Sequence, residues 1–387
     1  MIRSITLTVL LPIAVSLGQA DDNSDRYRKQ CADIIAAKSQ TGEGQRLWHL
    51  FEANWEYRMV ASPEAATWRG YPGQNHRWSD LSMEAIAEGK EDARQTLKAI
   101  LSFDRAKLSE ANRLNYDLFR RNAKMAVERQ QFPAEFLAIN QMDGLPRDVP
   151  SMIAMMPAGR TKDYEDILAR LGGIPTLVDQ TIGLLQEGLT REIVPPKVPL
   201  RTLADQVSGQ VHIGPMTTPM LAKFKKFPST IPAAEQARLT EAAKAVYADA
   251  VRPALKRLHV FLRDEYVPNC RTTVGRSALP NGRAWYDHQI RHYTTTTLSP
   301  DEIHNIGLRE VERIRAEMEA IKKQVGFEGD LHAFFEFLRT DPQFYYDTAD
   351  ELLAGYRDIC KRADPELTKL FRNLPRQPYG VIPVPSY

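Results

Sequence analysis

Hydrophobic residues recur along most of this chain at spacings of three and four positions, which is the pattern of an amphipathic helix. Alternation with a period of two, which would indicate half-buried strands, is scarce. Ser109 is placed to cap one such helix, and a second helical stripe around Ile167 is interrupted at Gly172, Gly173 and Pro175. We therefore predict a mainly α fold, a multi-helix scaffold with long proline-rich loops.

The clearest predicted helix begins after Ser299. Ser299 and Glu302 have the spacing of a capping box, Pro300 occupies the first helical position, and Gly326 supplies a C-terminal stop. The helix would span about 26 residues, or roughly 39 Å. Its apolar stripe contains Ile303, Gly307, Val311, Ile314, Met318, Ile321 and Val325. We predict from this stripe that the helix lies in the core.

Prolines divide the remainder of the chain. Residues 190–232 contain many of them and are interpreted as a long, ordered connection rich in loops. A helix is then predicted from Ala233 to about Tyr266, with a kink or break at Pro253, because proline removes a backbone hydrogen bond and its ring clashes with the preceding turn.

The C-terminal region repeats these signals. Thr348 and Glu351 form a second capping box, a short helix is predicted to begin at Pro365, and the segment from Pro375 to Pro385 is predicted to be extended. The aromatic residues before it are predicted to pack in the core; they are Phe334, Phe335, Phe337, Phe344, Tyr345 and Tyr346.

Composition narrows the class of protein. With 387 residues, 43% of them hydrophobic, the chain has the length and apolar content for one large or two medium domains. A formal net charge of +2 is too balanced for a nucleic-acid-binding surface. The cysteines are Cys31, Cys270 and Cys360, an odd number at wide spacing that does not form a disulfide framework.

The N-terminus has the pattern of a secretory signal peptide. Arg3 precedes an apolar stretch, and Gly18, Gln19 and Ala20 form a small-residue cleavage site before Asp21. The apolar stretch is shorter than the roughly 20 residues that a membrane-spanning helix needs. We predict a signal peptide at 1–20, no membrane span, and an exported protein that is periplasmic or secreted.

His288 and His292 lie four positions apart, as in the H-E-x-x-H helix of zinc peptidases. Gln289 stands where the catalytic glutamate belongs, and an amide cannot act as a general base. A catalytic zinc would also need a third protein ligand. We interpret the two histidines as ordinary helix positions, with a metal site as the alternative. Glycine-rich phosphate-binding loops, a nucleophile elbow and C-x-x-C pairs are absent from the sequence.

Three segments together resemble the bacterial family called domain of unknown function 885. They are LPRDVPSMIAMMP at 145–157, LPNGRAWYDHQIRHYTTTTLSPDEIHNIGLREVERIRAEM at 279–318 and LPRQPYGVIPVPSY at 374–387. The resemblance implies an exported, helical, gluzincin-like metallopeptidase. In that family an H-E-x-x-x-G-H-H type motif follows the P-Y-G-V segment, which here is Pro378 to Val381. The motif is not found in this sequence.

The resemblance therefore predicts that residues 21–387 are the N-terminal portion of a metallopeptidase-like domain. Zinc is implied only for a full-length form; for this chain we predict no cofactor, no metal ligands, no catalytic residues and no nucleic-acid partner, with a peptide as the candidate substrate. The resemblance also suggests residues that contact the substrate cleft: Tyr286, His304, Glu310 and Tyr379. The leading hypothesis is a peptidase-like scaffold inactive by itself, and the alternative is a secreted, non-catalytic helical binding module.

Overall fold

The computed structural model describes residues 17–39, 41–140 and 142–383, which are mainly helical. This confirms the mainly α prediction. The chain divides between Thr297 and Leu298 into two compact units. The α-helices of unit 1 are α1 (Leu17–Ala36), α2 (Glu43–Ala61), α3 (Pro63–Trp68), α4 (Met83–Leu101), α5 (Glu110–Glu128), α6 (Leu145–Met155), α7 (Thr161–Gly172), α8 (Ile174–Thr190), α9 (Leu203–Val211), α10 (Ala233–Val246), α11 (Arg252–Phe261), α12 (Val267–Asn269) and α13 (Gly282–Thr294).

The first part of unit 1 is built by α1, α2, α4 and α5, which pack against one another. Its core contains the buried side chains of Tyr27, Leu47, Leu50, Ile100 and Tyr116. Ser109 caps α5 as predicted, since its hydroxyl accepts a hydrogen bond from the Asn112 backbone. The sequence pattern thus located α5, although Leu114 and Leu118 on its predicted apolar stripe are exposed.

A second and larger core fills the rest of unit 1, where α6 to α11 surround Ile167, Leu200, Leu255 and Leu258. Arg170 on α7 is completely buried beside it. Its guanidinium donates hydrogen bonds to the carbonyls of Gln74 and Arg77 at 3.0 and 2.8 Å. Burial lowers the pKa of Arg170 to about 10. These bonds attach the loop that follows α3 to α7.

The predicted break at Pro253 takes the form of a π-helical segment. Residues Tyr247–Val251 are π-helical, and the next N–H, that of Arg252, bonds to the carbonyl of Tyr247. The same arrangement recurs at Leu262–Tyr266, immediately before Val267 and Pro268. In both places a widened turn precedes the proline, so the helix continues without the hydrogen bond that a proline cannot donate.

Residues 190–232 are less irregular than predicted. They contain α9 and two 3₁₀ segments, Val198–Leu200 and Pro219–Lys225, and Leu200, Val207 and Leu221 are buried. Proline content pointed to loops, but short helices can begin at a proline, whose absent N–H is unneeded in the first turn.

Unit 2 contains α14 (Pro300–Gln324), α15 (Leu331–Thr340) and α16 (Ala349–Leu370). Both predicted capping boxes are present, at Ser299 with Glu302 and at Thr348 with Glu351. Gly326 follows α14 with a φ of +70°, a conformation that favours glycine.

The prediction that α14 is a core helix is wrong for the described structure. No residue of α14 is buried, and Val311 and Ile321 on its apolar stripe are 65% and 53% exposed. Of the aromatic residues predicted to pack in the core, Phe334 is buried, whereas Phe344, Tyr345 and Tyr346 are exposed. The spacing of apolar residues shows which face of a helix is hydrophobic, but it does not show what covers that face.

Two other predictions concern the ends of the chain. Pro365 does not begin a new helix, because α16 continues through it to Leu370. Residues 372–383 contain no helix, as predicted, and the rest of the predicted extended segment lies outside the described residues. The predicted signal peptide lies outside the described residues except for 17–20, which belong to α1. None of the described helices combines the length and the apolar character that crossing a bilayer requires.

Candidate functional site

A cavity of about 490 Å³ opens in unit 1 among α2, α4, α5 and α13. We call it the His288 cavity. It is lined by Asn54, Tyr57, Arg58, Gly89, Ala93, Thr96, Phe119, Asn122, Ala123, Met125, Ala126, Arg129, His288 and His292. Its volume lies within the range of small-molecule sites in proteins, about 300 to 1,000 Å³.

His288 reaches the cavity because α13 is fixed at its N-terminal end. Trp285 is buried and stacks on Phe132, with ring centroids 5.7 Å apart. Gly282 begins the helix where a Cβ atom would lie 2.1 Å from the carbonyl oxygen of Arg276, so no larger residue fits this backbone path. These contacts place α13 beside the segment that follows α5.

The His288 side chain is only 3% exposed, and its Nε2 atom has no hydrogen-bond partner among the described residues. Burial lowers the pKa of His288, and the nearby charge of Arg291 lowers it further. The imidazole is therefore neutral at pH 7, and its unpartnered Nε2 atom is itself buried. His292 is exposed at the same cavity.

A network of buried hydrogen bonds supports the wall that carries Tyr57. Asp92 is completely buried and accepts bonds from the hydroxyls of Ser24 and Tyr57, both at 2.7 Å, and from Nε of Arg28 at 2.6 Å. Ser24 and Arg28 belong to α1, so one carboxylate joins α1, α2 and α4. Bonds to a charged acceptor are stronger than neutral ones, and such a group is costly to leave unpaired when buried.

A second chain of bonds runs beside it. Asn54 donates to the hydroxyl of Tyr27 at 2.8 Å, and the Tyr27 and Thr96 hydroxyls are 2.7 Å apart. Thr96 donates its own proton to the backbone carbonyl of Asp92, so Tyr27 must donate to Thr96. Asn54 and Thr96 at the cavity wall are thereby held in one orientation.

The hydroxyls of Tyr27 and Tyr57 and the nearby Cys31 thiol do not titrate near neutral pH. Burial and the charge of Asp92 raise the pKa of Tyr57 far above its ordinary value, and burial does the same for Tyr27. Burial raises the pKa of the Cys31 thiol to about 11. The network therefore supplies fixed hydrogen bonds rather than an acid, a base or a thiolate nucleophile.

The cavity carries positive charge without a matching carboxylate. Arg58 on α2 and Arg129 after α5 are exposed residues of its lining, which contains no aspartate or glutamate. In the part of the chain that the structure describes, neither guanidinium has an ion pair or a hydrogen bond. The sequence did not point to either arginine, because nothing near positions 58 and 129 indicates that they line the same cavity.

His288 and His292 do not amount to a zinc site. A catalytic zinc takes three protein ligands, and over the described ranges no group of three His, Cys, Asp or Glu side chains could hold a metal ion. The residues present do not fit the zinc that the family resemblance implies, so we derive no step through a metal. What sequence analysis missed is that His288 is buried at a cavity.

The substrate-cleft candidates lie elsewhere. Tyr286 is on α13 but is not among the residues that line the His288 cavity. His304 and Glu310 are exposed on α14, where Glu310 pairs with Arg313 at 2.8 Å. The Tyr379 hydroxyl donates to a carboxylate oxygen of Asp364 at 3.0 Å, and this bond raises the pKa of Tyr379 to about 12. Their contact with a substrate stays a prediction.

A second cavity in unit 1, of about 540 Å³, lies near the segment 145–157. Its ionisable lining residues are Asp143 and Arg147, and both are exposed. Gln210, also in its wall, donates to the carbonyl of Pro146 at 2.6 Å. Because no buried ionisable group faces this space, it offers less chemistry than the His288 cavity.

The fold and the site define a mainly α-helical protein of two units, one of which contains a cavity lined by arginine and histidine. The chain belongs to the family of bacterial proteins of unknown function called DUF885, whose model matches residues 63–387. No curated protein is similar enough to this chain to count as a match.

A solved structure shares the fold. It is that of a candidate lipoprotein from Colwellia psychrerythraea, which superposes with a TM-score of 0.74 and is 18% identical in sequence. The match covers 92% of this chain but 61% of that one. This chain therefore spans about three fifths of the length of the structure that it resembles.

Proposed function

We propose that this chain is the ligand-binding part of an exported, peptidase-like protein, and that it binds short peptides in the His288 cavity without hydrolysing them by itself. The observation that carries the proposal is the cavity: four helices hold a neutral, buried imidazole and two arginines around a space of about 490 Å³. The family resemblance supports a peptide as the ligand.

The chemistry of the lining suits a peptide. Asn54 and Asn122 offer amide groups of the kind that pair with peptide N–H and C=O groups. The rings of Tyr57 and Phe119 offer apolar surface for a side chain. A zinc peptidase needs three protein ligands for the metal and a general base. We propose that this chain by itself provides neither the third ligand nor the base.

Binding and hydrolysis can be tested together on the complete chain. Calorimetry with the tripeptide Ala-Ala-Ala should show binding, and His292→Ala should weaken it severalfold through loss of a polar contact. His212→Ala, which changes an exposed histidine outside the cavity, is the matched control and should bind like the parent. No free alanine should form, with or without added zinc chloride.

Zinc-dependent hydrolysis that His292→Ala abolishes would contradict the proposal and restore H-Q-I-R-H as a metal motif. Absence of any tripeptide binding would contradict the binding role.

The second candidate function is that of a secreted, non-catalytic helical binding module. The exposed apolar stripe of α14 favours it, because a hydrophobic face of this length suits a protein partner. The genomic sequence after codon 387 separates the two candidates. An in-frame H-E motif shortly downstream would favour the peptidase-like protein, and a stop without such a motif would favour the module.

A further inference from the structure

Resting on the proposed function, we infer that the His288 cavity recognises its ligand through a carboxylate, which Arg58 and Arg129 bind. The peptide would therefore present its free C-terminus to these two arginines.

The lining of the His288 cavity contains two arginines and no carboxylate to balance them. Some exposed arginines of unit 1 lie against carboxylates, as Arg105 does on Asp117 at 2.7 Å and Arg257 on Asp179 at 2.8 Å. Others, such as Arg201, have no ion pair among the described residues, so the lack of a partner is not by itself the distinguishing feature. Arg58 and Arg129 also have no carboxylate partner among the described residues. What distinguishes them is that they come from different elements and line the same cavity. Two like charges that share a concave space attract an anion.

The buried carboxylate that bonds to Tyr57 in the cavity wall is already bound by other groups. Asp92 lies behind Tyr57, and its oxygens accept bonds from Ser24, Tyr57 and Arg28. It is completely buried and is not part of the lining. Asp92 therefore holds the wall in place and does not neutralise the arginines in front of it.

The shape of the guanidinium group favours a carboxylate as the anion. A guanidinium presents parallel N–H groups that match the two oxygens of a carboxylate. The amides of Asn54 and Asn122 lie in the same lining, where the neighbouring peptide group of a ligand would need polar partners. Phosphate oxygens could satisfy the same arginines, so the experiment includes inorganic phosphate.

The test compares Ala-Ala-Ala with a free C-terminus and the same tripeptide as its C-terminal amide, both acetylated at the N-terminus. For the parent chain we expect the amide to bind on the order of tenfold more weakly, because a hydrogen-bonded charge pair is lost. Arg58→Gln and Arg129→Gln should each weaken binding of the free acid and leave binding of the amide almost unchanged. Both arginines are exposed, so affinity for the acid should also fall as salt is raised from 50 to 500 mM.

Arg201→Gln is the matched control, since Arg201 is an exposed arginine of unit 1 outside the cavity. It should retain the preference for the free acid. Circular dichroism of each variant verifies folding, and the two cavity arginines are exposed enough that their replacement should preserve the fold.

The outcomes separate this inference from the proposed function. Equal binding of acid and amide would overturn the carboxylate and leave peptide binding intact. If inorganic phosphate binds and neither tripeptide does, and if Arg58→Gln and Arg129→Gln each weaken phosphate binding, the site recognises phosphate. That result would overturn both the peptide ligand and its carboxylate. Binding of none of the three probes would overturn both proposals.

Discussion

At the scale of the residue, His288 has the most unusual surroundings. It is 3% exposed, its Nε2 atom has no partner among the described residues, and the groups that affect its charge are Arg291, Glu128 and His292. A buried imidazole of this kind stays neutral, because protonation would place a poorly solvated charge beside an arginine. We therefore expect His288 to make the folded protein less stable in acid.

The first prediction is that His288 makes the folded state less stable as pH falls. Its folded pKa is lowered, so the unfolded chain takes up a proton first, near pH 6.5, and the free energy of unfolding should decline from pH 7 towards pH 5. Urea denaturation of the parent and of His288→Gln at several pH values measures this. The variant should show the shallower decline, and parallel pH profiles would refute the assignment.

The sequence reveals His288 through its spacing from His292, but spacing cannot give burial. The two arginines of the cavity give no signal in the sequence, since Arg58 and Arg129 are 71 positions apart and line one cavity only because α2 packs against α4 and α5. Residues that line a cavity from several helices can be recognised as a site only once the packing of the helices is known. A local motif such as H-x-x-x-H can be recognised in the sequence alone.

At the scale of the element, capping and periodicity predicted helices well, as at Ser299 and Thr348. They predicted burial poorly for α14. Periodicity also gave no warning of the π segments before Pro253 and Pro268, where the helix widens by one residue instead of ending. Local rules determine whether a helix forms, and tertiary packing determines how a proline is accommodated within it.

The second prediction concerns the start of α13. Gly282→Ala should destabilise the protein by roughly 1 to 3 kcal/mol, because the added methyl would collide with the Arg276 carbonyl and force the backbone to move. It should also weaken peptide binding, since α13 carries His288.

Gly183→Ala is its control, because a Cβ atom there meets nothing within 4 Å and alanine favours a helix interior. Denaturation should show equal or greater stability for the control. A Gly282→Ala variant as stable as the parent would refute the predicted collision with the Arg276 carbonyl.

The third prediction follows from the exposure of α14. Ile314→Ala should change the free energy of unfolding by about 0.5 kcal/mol or less, because the side chain is 41% exposed and alanine is the better helix former. Leu255→Ala, in the core of unit 1, should cost about 2 to 5 kcal/mol. A large loss for Ile314→Ala would mean that the stripe is covered in solution.

At the scale of the whole molecule, the helical period was enough to predict the fold class, and the family resemblance was confirmed over residues 63–387. The division at Thr297 was not predicted, because the threonine cluster before it carries no proline or glycine to mark a boundary. Export and the relation to peptidases stay predictions.

The fourth prediction tests export. Mass spectrometry of protein made in its native host should find an N-terminus at or within a few residues of Asp21, because Gly18 to Ala20 form a small-residue cleavage site. Ala20→Arg should block cleavage, since large charged residues are excluded from that position. An intact Met1 in the parent protein would refute the signal peptide.

The attachment of α1 to Asp92 also has a consequence for how the protein matures. Ser24, Tyr27 and Arg28, which hold the polar groups behind the cavity, follow the predicted cleavage site within a single segment of two helical turns. Processing after Ala20 would leave them all in place, while trimming beyond Arg28 would leave a carboxylate buried with fewer donors. Ragged N-termini in a purified preparation would then appear as molecules with unequal ligand affinity, so the uniformity of the N-terminus should be verified before any binding constant is compared.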